Sequence, residues 1–109
     1  MPAGKVINRI HETIKIIRRG DTYYGVLKSP VMFMNELIGR IVLLRMFVNG
    51  NEVSIRVHVT IEKAYIPPRP RVIFPKALNP FVEKIHGKEI PVVIEYEEDE
   101  SNEIKTQSG

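Results

Sequence analysis

The sequence predicts a small, mainly β domain: a β-barrel-like sheet with a long central hairpin and one or two short helices. Three observations carry this. First, Asn49-Gly50 joins two apolar-rich runs, residues 40–48 and 51–63. Both turn residues tolerate positive φ, as a type I′ hairpin turn requires. Second, the later run alternates strictly. Val53, Ile55, Val57, Val59 and Ile61 share one face, and Glu52, Ser54, Arg56, His58, Thr60 and Glu62 share the other, which is the period of a strand. Third, the chain has 109 residues, 43% of them hydrophobic, enough for one domain with one core and no covalent staple.

Taken in order, residues 1–5 are expected to fray. Residues 6–19 carry two patterns. Ile7, Ile10, Ile14 and Ile17 have helical spacing, while Ile10, Glu12, Ile14 and Ile16 alternate. The β-branched run Thr13-Ile14-Lys15-Ile16-Ile17 favours a strand over the second half. Arg18-Arg19-Gly20-Asp21 turns the chain, and residues 22–28 read as a strand pairing back on the first. Ser29-Pro30 marks a helix start, with Ser as cap and Pro in the first turn. A helix of about two turns over 31–38 then ends at Gly39 in the left-handed region. Its Met32, Phe33 and Met34 are assigned to the core.

After the hairpin, Ile66-Pro67-Pro68-Arg69-Pro70 reads as an extended connector, because prolines cannot donate to a ladder. Residues 71–74 form a short strand. Residues 75–86 form a loop with a short helix around 81–85, started by Asn79-Pro80 and ended by Gly87. Residues 89–96 form the last strand, in which Pro91 implies an edge position or a strand start. The domain spans 1–97, and 98–109 reads as an acidic, disordered tail.

The hairpin register follows from the two-residue turn. Val48 opposes Asn51, Met46 opposes Val53, Leu44 opposes Ile55 and Val42 opposes Val57, all on the core face. On the other face Phe47 opposes Glu52, Arg45 opposes Ser54, Leu43 opposes Arg56 and Ile41 opposes His58. That second face is apolar as well as basic, so the reading requires another element or a partner to cover it. Ile41, Leu43 and Phe47 are its candidate interface residues.

The net charge is +3 and the pI is near 9.3. Residues 1–74 hold twelve Lys/Arg against five Asp/Glu, while residues 75–109 hold four against eight. A basic body followed by an acidic end favours contact with polyanions, with the tail competing for the basic surface. The absence of Cys excludes disulfides, thiolate metal sites and a Cys nucleophile, and fits a reducing cytosol or a hot habitat. No apolar run approaches the ~20 residues that span a bilayer, and MPAGKVINRI lacks a signal-peptide core. A cytoplasmic protein without membrane contact is expected.

Two segments share one layout: strand, proline, one or two helical turns, a Gly-basic step, strand. One runs through Ser29-Pro30 and Gly39-Arg40, the other through Pro75, Asn79-Pro80 and Gly87-Lys88. This layout resembles the AbrB/MazE/SpoVT swapped-hairpin family over residues 23–44 and, with an insertion, 72–94. The resemblance implies interlocking half-barrels, a homodimer and DNA binding through basic residues before the helical turn. Carried over by position, these are Arg18, Arg19 and Lys28 in the first unit and Arg69 and Arg71 in the second. The long Asn49-Gly50 hairpin lies outside the family pattern, and the family's Pro-Lys-Glu is half present as Pro75-Lys76.

Catalytic signatures are missing. His11, His58 and His86 are far apart in sequence, the seven glycines make no phosphate loop, and no Ser lies in a nucleophile elbow. No enzyme activity, catalytic residue, metal, cofactor or small-molecule substrate is assigned. Two functions from different classes remain. The first is nucleic-acid binding, DNA before RNA, by a transcriptional regulator or chromatin-type protein. Its basic surface comprises Lys15, Arg18, Arg19, Lys28, Arg45, Arg56, Arg69 and Arg71. The second is a protein–protein adaptor or assembly subunit that uses Ile41, Leu43 and Phe47.

Overall fold

A computed structural model of the chain describes residues 6–97. The expected fraying of 1–5 and the tail 98–109 lie outside the described residues. Six strands are present: β1 (Ile7–Arg19), β2 (Thr22–Leu27), β3 (Ile41–Val48), β4 (Asn51–Glu62), β5 (Arg69–Ile73) and β6 (Glu89–Glu97). All pair antiparallel and close a barrel in the order β1-β2-β5-β4-β3-β6. A short helix, α1 (Asn79–Glu83), and three 3₁₀ turns complete the described fold. No helix among the described residues is long and apolar enough to cross a membrane.

The β3–β4 hairpin has the register that the turn dictates, from Val48 opposite Asn51 to Ile41 opposite His58. Asn49 and Gly50 both have positive φ, 51° and 79°. Val42, Leu44 and Met46 point into the barrel and are buried with Val57 and Val59. Strand β1 runs the whole length of Ile7–Arg19 rather than its second half. The helical spacing of its isoleucines is a coincidence of composition: Ile10, Ile14 and Ile16 turn inward, while Ile7 stays on the outside.

Several local expectations are corrected. Residues 31–38 form two separate 3₁₀ turns, Val31–Phe33 and Asn35–Leu37, instead of a two-turn helix. Ser29 caps neither, because its hydroxyl donates to Glu12 across the barrel end. Met34 and Leu37 are buried, but Met32 and Phe33 are exposed and belong to no core. A 3₁₀ turn repeats every three residues, so it buries one side chain per turn and cannot hide three in a row. Strand β5 begins two residues early, at Arg69, and α1 starts at Asn79. Pro70 and Pro91 both lie within strands, each one position past the end of a ladder, β2–β5 and β3–β6 respectively. Their missing N–H groups face those ended ladders, so no bond is lost.

The sequence repeat is a geometric one. Gly39 N–H donates to Val59 O at 2.8 Å, and Val59 N–H donates to Arg40 O at 2.9 Å. In the second unit Gly87 N–H donates to Ile16 O at 2.8 Å, and Ile16 N–H donates to Lys88 O at 3.0 Å. Both glycines have positive φ, as the step requires. Exchanging β1-β2-β3 with β4-β5-β6 reproduces every pairing. The β1–β2 pair becomes β4–β5, β1–β6 becomes β4–β3, and β2–β5 and β3–β6 map onto themselves. The pseudo-two-fold axis passes through the Gly25–Val72 and Arg45–Val93 pairs.

At the axis the interior leaves no room beside Gly25. A Cβ built there would lie 2.7 Å from Ile14 Cδ1 and 3.0 Å from Val72 Cγ2. Both neighbours are fully buried. Gly25→Ala is therefore expected to destabilise the fold by about 1–3 kcal/mol through overpacking, measured as a lowered urea midpoint at unchanged m-value.

Candidate binding groove on the outer wall

Four of the six strands of the barrel wall run side by side as β1-β6-β3-β4, and their outward side chains fall in rows set by the ladders. One row is Arg9–Glu95–Leu43–Arg56, and the next is His11–Val93–Arg45–Ser54. This is the second hairpin face. No element among the described residues covers it: Ile41 is 55% exposed and Phe47 38%. The internal cover left open by the sequence is thus not supplied by this chain's described residues. The cause is topological, since the face is the outside of a closed barrel and each helix or turn packs at an end.

A charge ladder crosses this wall. Arg9 Nε donates to Glu95 Oε2 at 2.9 Å. Arg45 donates to Glu95 at 2.7 Å through Nη1 and to both oxygens of Glu52 through Nε and Nη2. Ser54 Oγ adds a 3.0 Å bond to Glu52. Bonds from Arg45, then Ser54, hold the Glu52 carboxyl below its usual range, and bonds from Arg45, then Arg9, do the same for Glu95. The same bonds, Glu52 foremost, hold the Arg45 guanidinium above its ordinary value. Arg45 therefore faces carboxylates and has no free fork for phosphate.

Beside this ladder lies a groove of about 430 Å³ lined by Ile7, Arg40, Ile41, Leu43, Arg56, Glu95, Tyr96 and Glu97. Leu43 is half-buried at its floor, and Ile7 and Ile41 are exposed along it. Arg40 lies over the Tyr96 ring, 5.4 Å from its centroid, and Tyr96 Oη donates to Glu36. Arg56 is exposed and makes no ion pair or side-chain bond among the described residues. The groove thus offers an aliphatic floor, a tyrosine and two arginines.

The remaining expected nucleic-acid residues are dispersed. Arg19 and Arg71 both bond Glu62, which is only 3% exposed, at 2.9 Å each. Arg71 also donates to Thr60 and lies over the Tyr24 ring at 4.0 Å. The two arginines hold one oxygen each of this buried carboxylate, so the cluster is structural: losing either leaves a buried oxygen without its charged donor. Lys28 pairs with Glu89, Arg69 lies over Tyr65, and Arg18 donates to Gly20 O. Lys15 is exposed with no carboxylate partner among the described residues. The structure brings Arg45 and Arg56 to the same wall as Ile41, Leu43 and Phe47, and leaves the others around the barrel.

Ile7 and Tyr96 are groove residues that sequence reasoning did not assign. Arg40 was visible as the basic residue after Gly39. Ile7 and Tyr96 reach the groove through ladders spanning most of the chain, which no local pattern reveals. Among the described residues no three His, Asp or Glu side chains gather as a metal site would require. Comparison with family models, curated proteins and solved structures finds no match to this chain.

Glu52 and Glu95 bind arginine only as carboxylates, so the folded chain takes up their protons at lower pH than the unfolded one. Their contribution is whole above the ordinary titration near 4.5 and is lost as pH falls through the depressed folded value. Arg45→Met should therefore lower the melting temperature at neutral pH and flatten its decline on acidification, as followed by circular dichroism.

Proposed function

We propose that this protein is a binding module whose outer wall docks a partner protein, in the manner of an adaptor or assembly subunit. The carrying observation is the exposed Ile7 and Ile41 beside a groove lined also by Leu43, with Phe47 exposed on the same wall beyond the Arg45 row. Exposed apolar side chains rimmed by charge mark interaction sites. Arg40 and Arg56 at the rim favour a partner segment with an acidic residue next to a bulky apolar anchor. The carboxylates on the same wall, Glu52, Glu95 and Glu97, weigh against a bare polyanion in this groove.

Nucleic-acid binding is the second reading, and a specific observation favours it. Residues 6–97 hold fourteen Lys/Arg against nine Asp/Glu. Lys15, Arg18, Arg40 and Arg56 have no carboxylate partner among the described residues. A basic barrel of this kind attracts phosphates through its summed field rather than through one fingerprint.

Two measurements separate these. Panning a displayed peptide library on the intact protein should enrich apolar-acidic sequences whose affinity falls at least about tenfold in Ile41→Asp, a substitution at an exposed site. No enrichment, or equal binding by the variant, overturns the docking reading. Fluorescence polarisation with a labelled single strand and a duplex tests the other: affinity should fall steeply with salt, and no binding at low salt removes it.

A further inference from the structure

We infer that the free edge of β4 pairs with the same edge of a second copy of this chain, making a two-fold dimer through a continuous sheet. This stands on backbone groups and charge placement along one strand edge; it shares Arg56 with the outer groove, and Ser54→Pro and Ser54→Cys test it apart from that groove.

The ladder β4–β5 covers only His58–Glu62 of β4, so residues 51–57 pair with β3 on one side and, among the described residues, with nothing on the other. Strand geometry fixes which groups are left over. Val59 exchanges backbone bonds with the β3 side through Gly39 and Arg40. Odd-numbered residues of β4 therefore turn toward β3, and even-numbered ones toward β5 or the open edge. Glu52, Ser54 and Arg56 are the even residues beyond the β5 ladder, and all three are exposed. Their N–H and C=O groups form an unpaired antiparallel template.

Native edges are usually blunted by a bulge, a proline, or a covering element. This one has none of these. It carries two charges, and their placement invites pairing with itself. About a two-fold axis at Ser54, Glu52 falls opposite Arg56 of the second copy, and Arg56 opposite its Glu52. On the inner face Val53 falls opposite Ile55. Opposite charges facing across strands stabilise a pair, whereas a single repeated sign would repel. Arg56 has no partner among the described residues, and Glu52 keeps lone pairs beyond those that Arg45 and Ser54 occupy. The interface is isologous, so one strip of sequence supplies both sides of every contact.

The related edge of β1 is a poorer template. It is the pseudo-symmetric counterpart, but Lys28 and Ser29 lie against His11, Glu12 and Thr13 there, and Ser29 donates to Glu12. The β4 edge has no such cover, which directs the second copy to it.

Light scattering on the full chain, from low micromolar to near-millimolar protein, reads the oligomeric state. The wild type is expected to dimerise with concentration. Ser54→Pro, which removes an edge donor that a lone chain does not use, should be monomeric throughout with unchanged circular dichroism. Arg56→Glu, which sets carboxylates opposite each other, should raise the dissociation constant at least about tenfold. The chain has no cysteine, so Ser54→Cys gives a clean cross-link. Residues opposed in a bonded antiparallel pair have Cα atoms about 5.5 Å apart, within disulfide reach. Ser54→Cys should form covalent dimers under mild oxidation, and Lys84→Cys on an exposed loop should not. A wild type that stays monomeric, a dimer that survives both Ser54→Pro and Arg56→Glu, or equal cross-linking by the two cysteine variants overturns the proposal.

Discussion

The fold depends on two short hydrogen-bonded steps, each a glycine followed by a basic residue, each locked onto a buried strand position of the opposite half. Gly39-Arg40 grips Val59, and Gly87-Lys88 grips Ile16. These bonds start β3 and β6 in register against strands far away in sequence. Without them the connecting turns would deliver each strand at an arbitrary stagger, and a one-residue slip would turn its whole apolar row outward. Closure then satisfies backbone groups around most of the wall and confines open edges to places where one strand outruns its neighbour.

The distribution of charge follows from that closure. A barrel has one inside, so alternation sends every second residue to an outer surface that the chain cannot wrap again. The charged residues there pair between strands: Arg9 with Glu95, Arg45 with Glu95 and Glu52, Arg71 with Glu62, and Arg19 with the same Glu62 from a strand that is not its neighbour. What alternation left without a complement among the described residues is Arg56 and the exposed Ile7 and Ile41.

Much of the architecture could be read from the residues. The register of the central hairpin was legible because Asn-Gly fixes loop length and Val53 to Ile61 fixes the face. The repeat was legible because a left-handed step needs glycine. Less of the site was legible, and for physical reasons. Period-two alternation says which side chains share a face but not whether anything lies over it, so Ile41 and Phe47 could be grouped but not placed in solvent. Ion pairing is set by neighbouring strands, so nothing near Arg45 announced Glu95, and nothing near Arg19 announced Glu62. The turn at 31–37 was misjudged because Ser29-Pro30 carries the chemistry of a helix start, while the span from Pro30 to Gly39 is filled instead by two tight turns.

The internal symmetry bears on how little chain such a barrel needs. Each half, β1-β2-β3 or β4-β5-β6, hydrogen-bonds to the other along four of the six seams and joins it covalently only at Asn49-Gly50. A polypeptide of half this length, able to meet its twin about the Gly25–Val72 line, would enclose the same interior with no tether. The turn between Val48 and Asn51 thus acts as a leash: it raises the local concentration of one lobe around the other, and it frees the two lobes to differ in sequence.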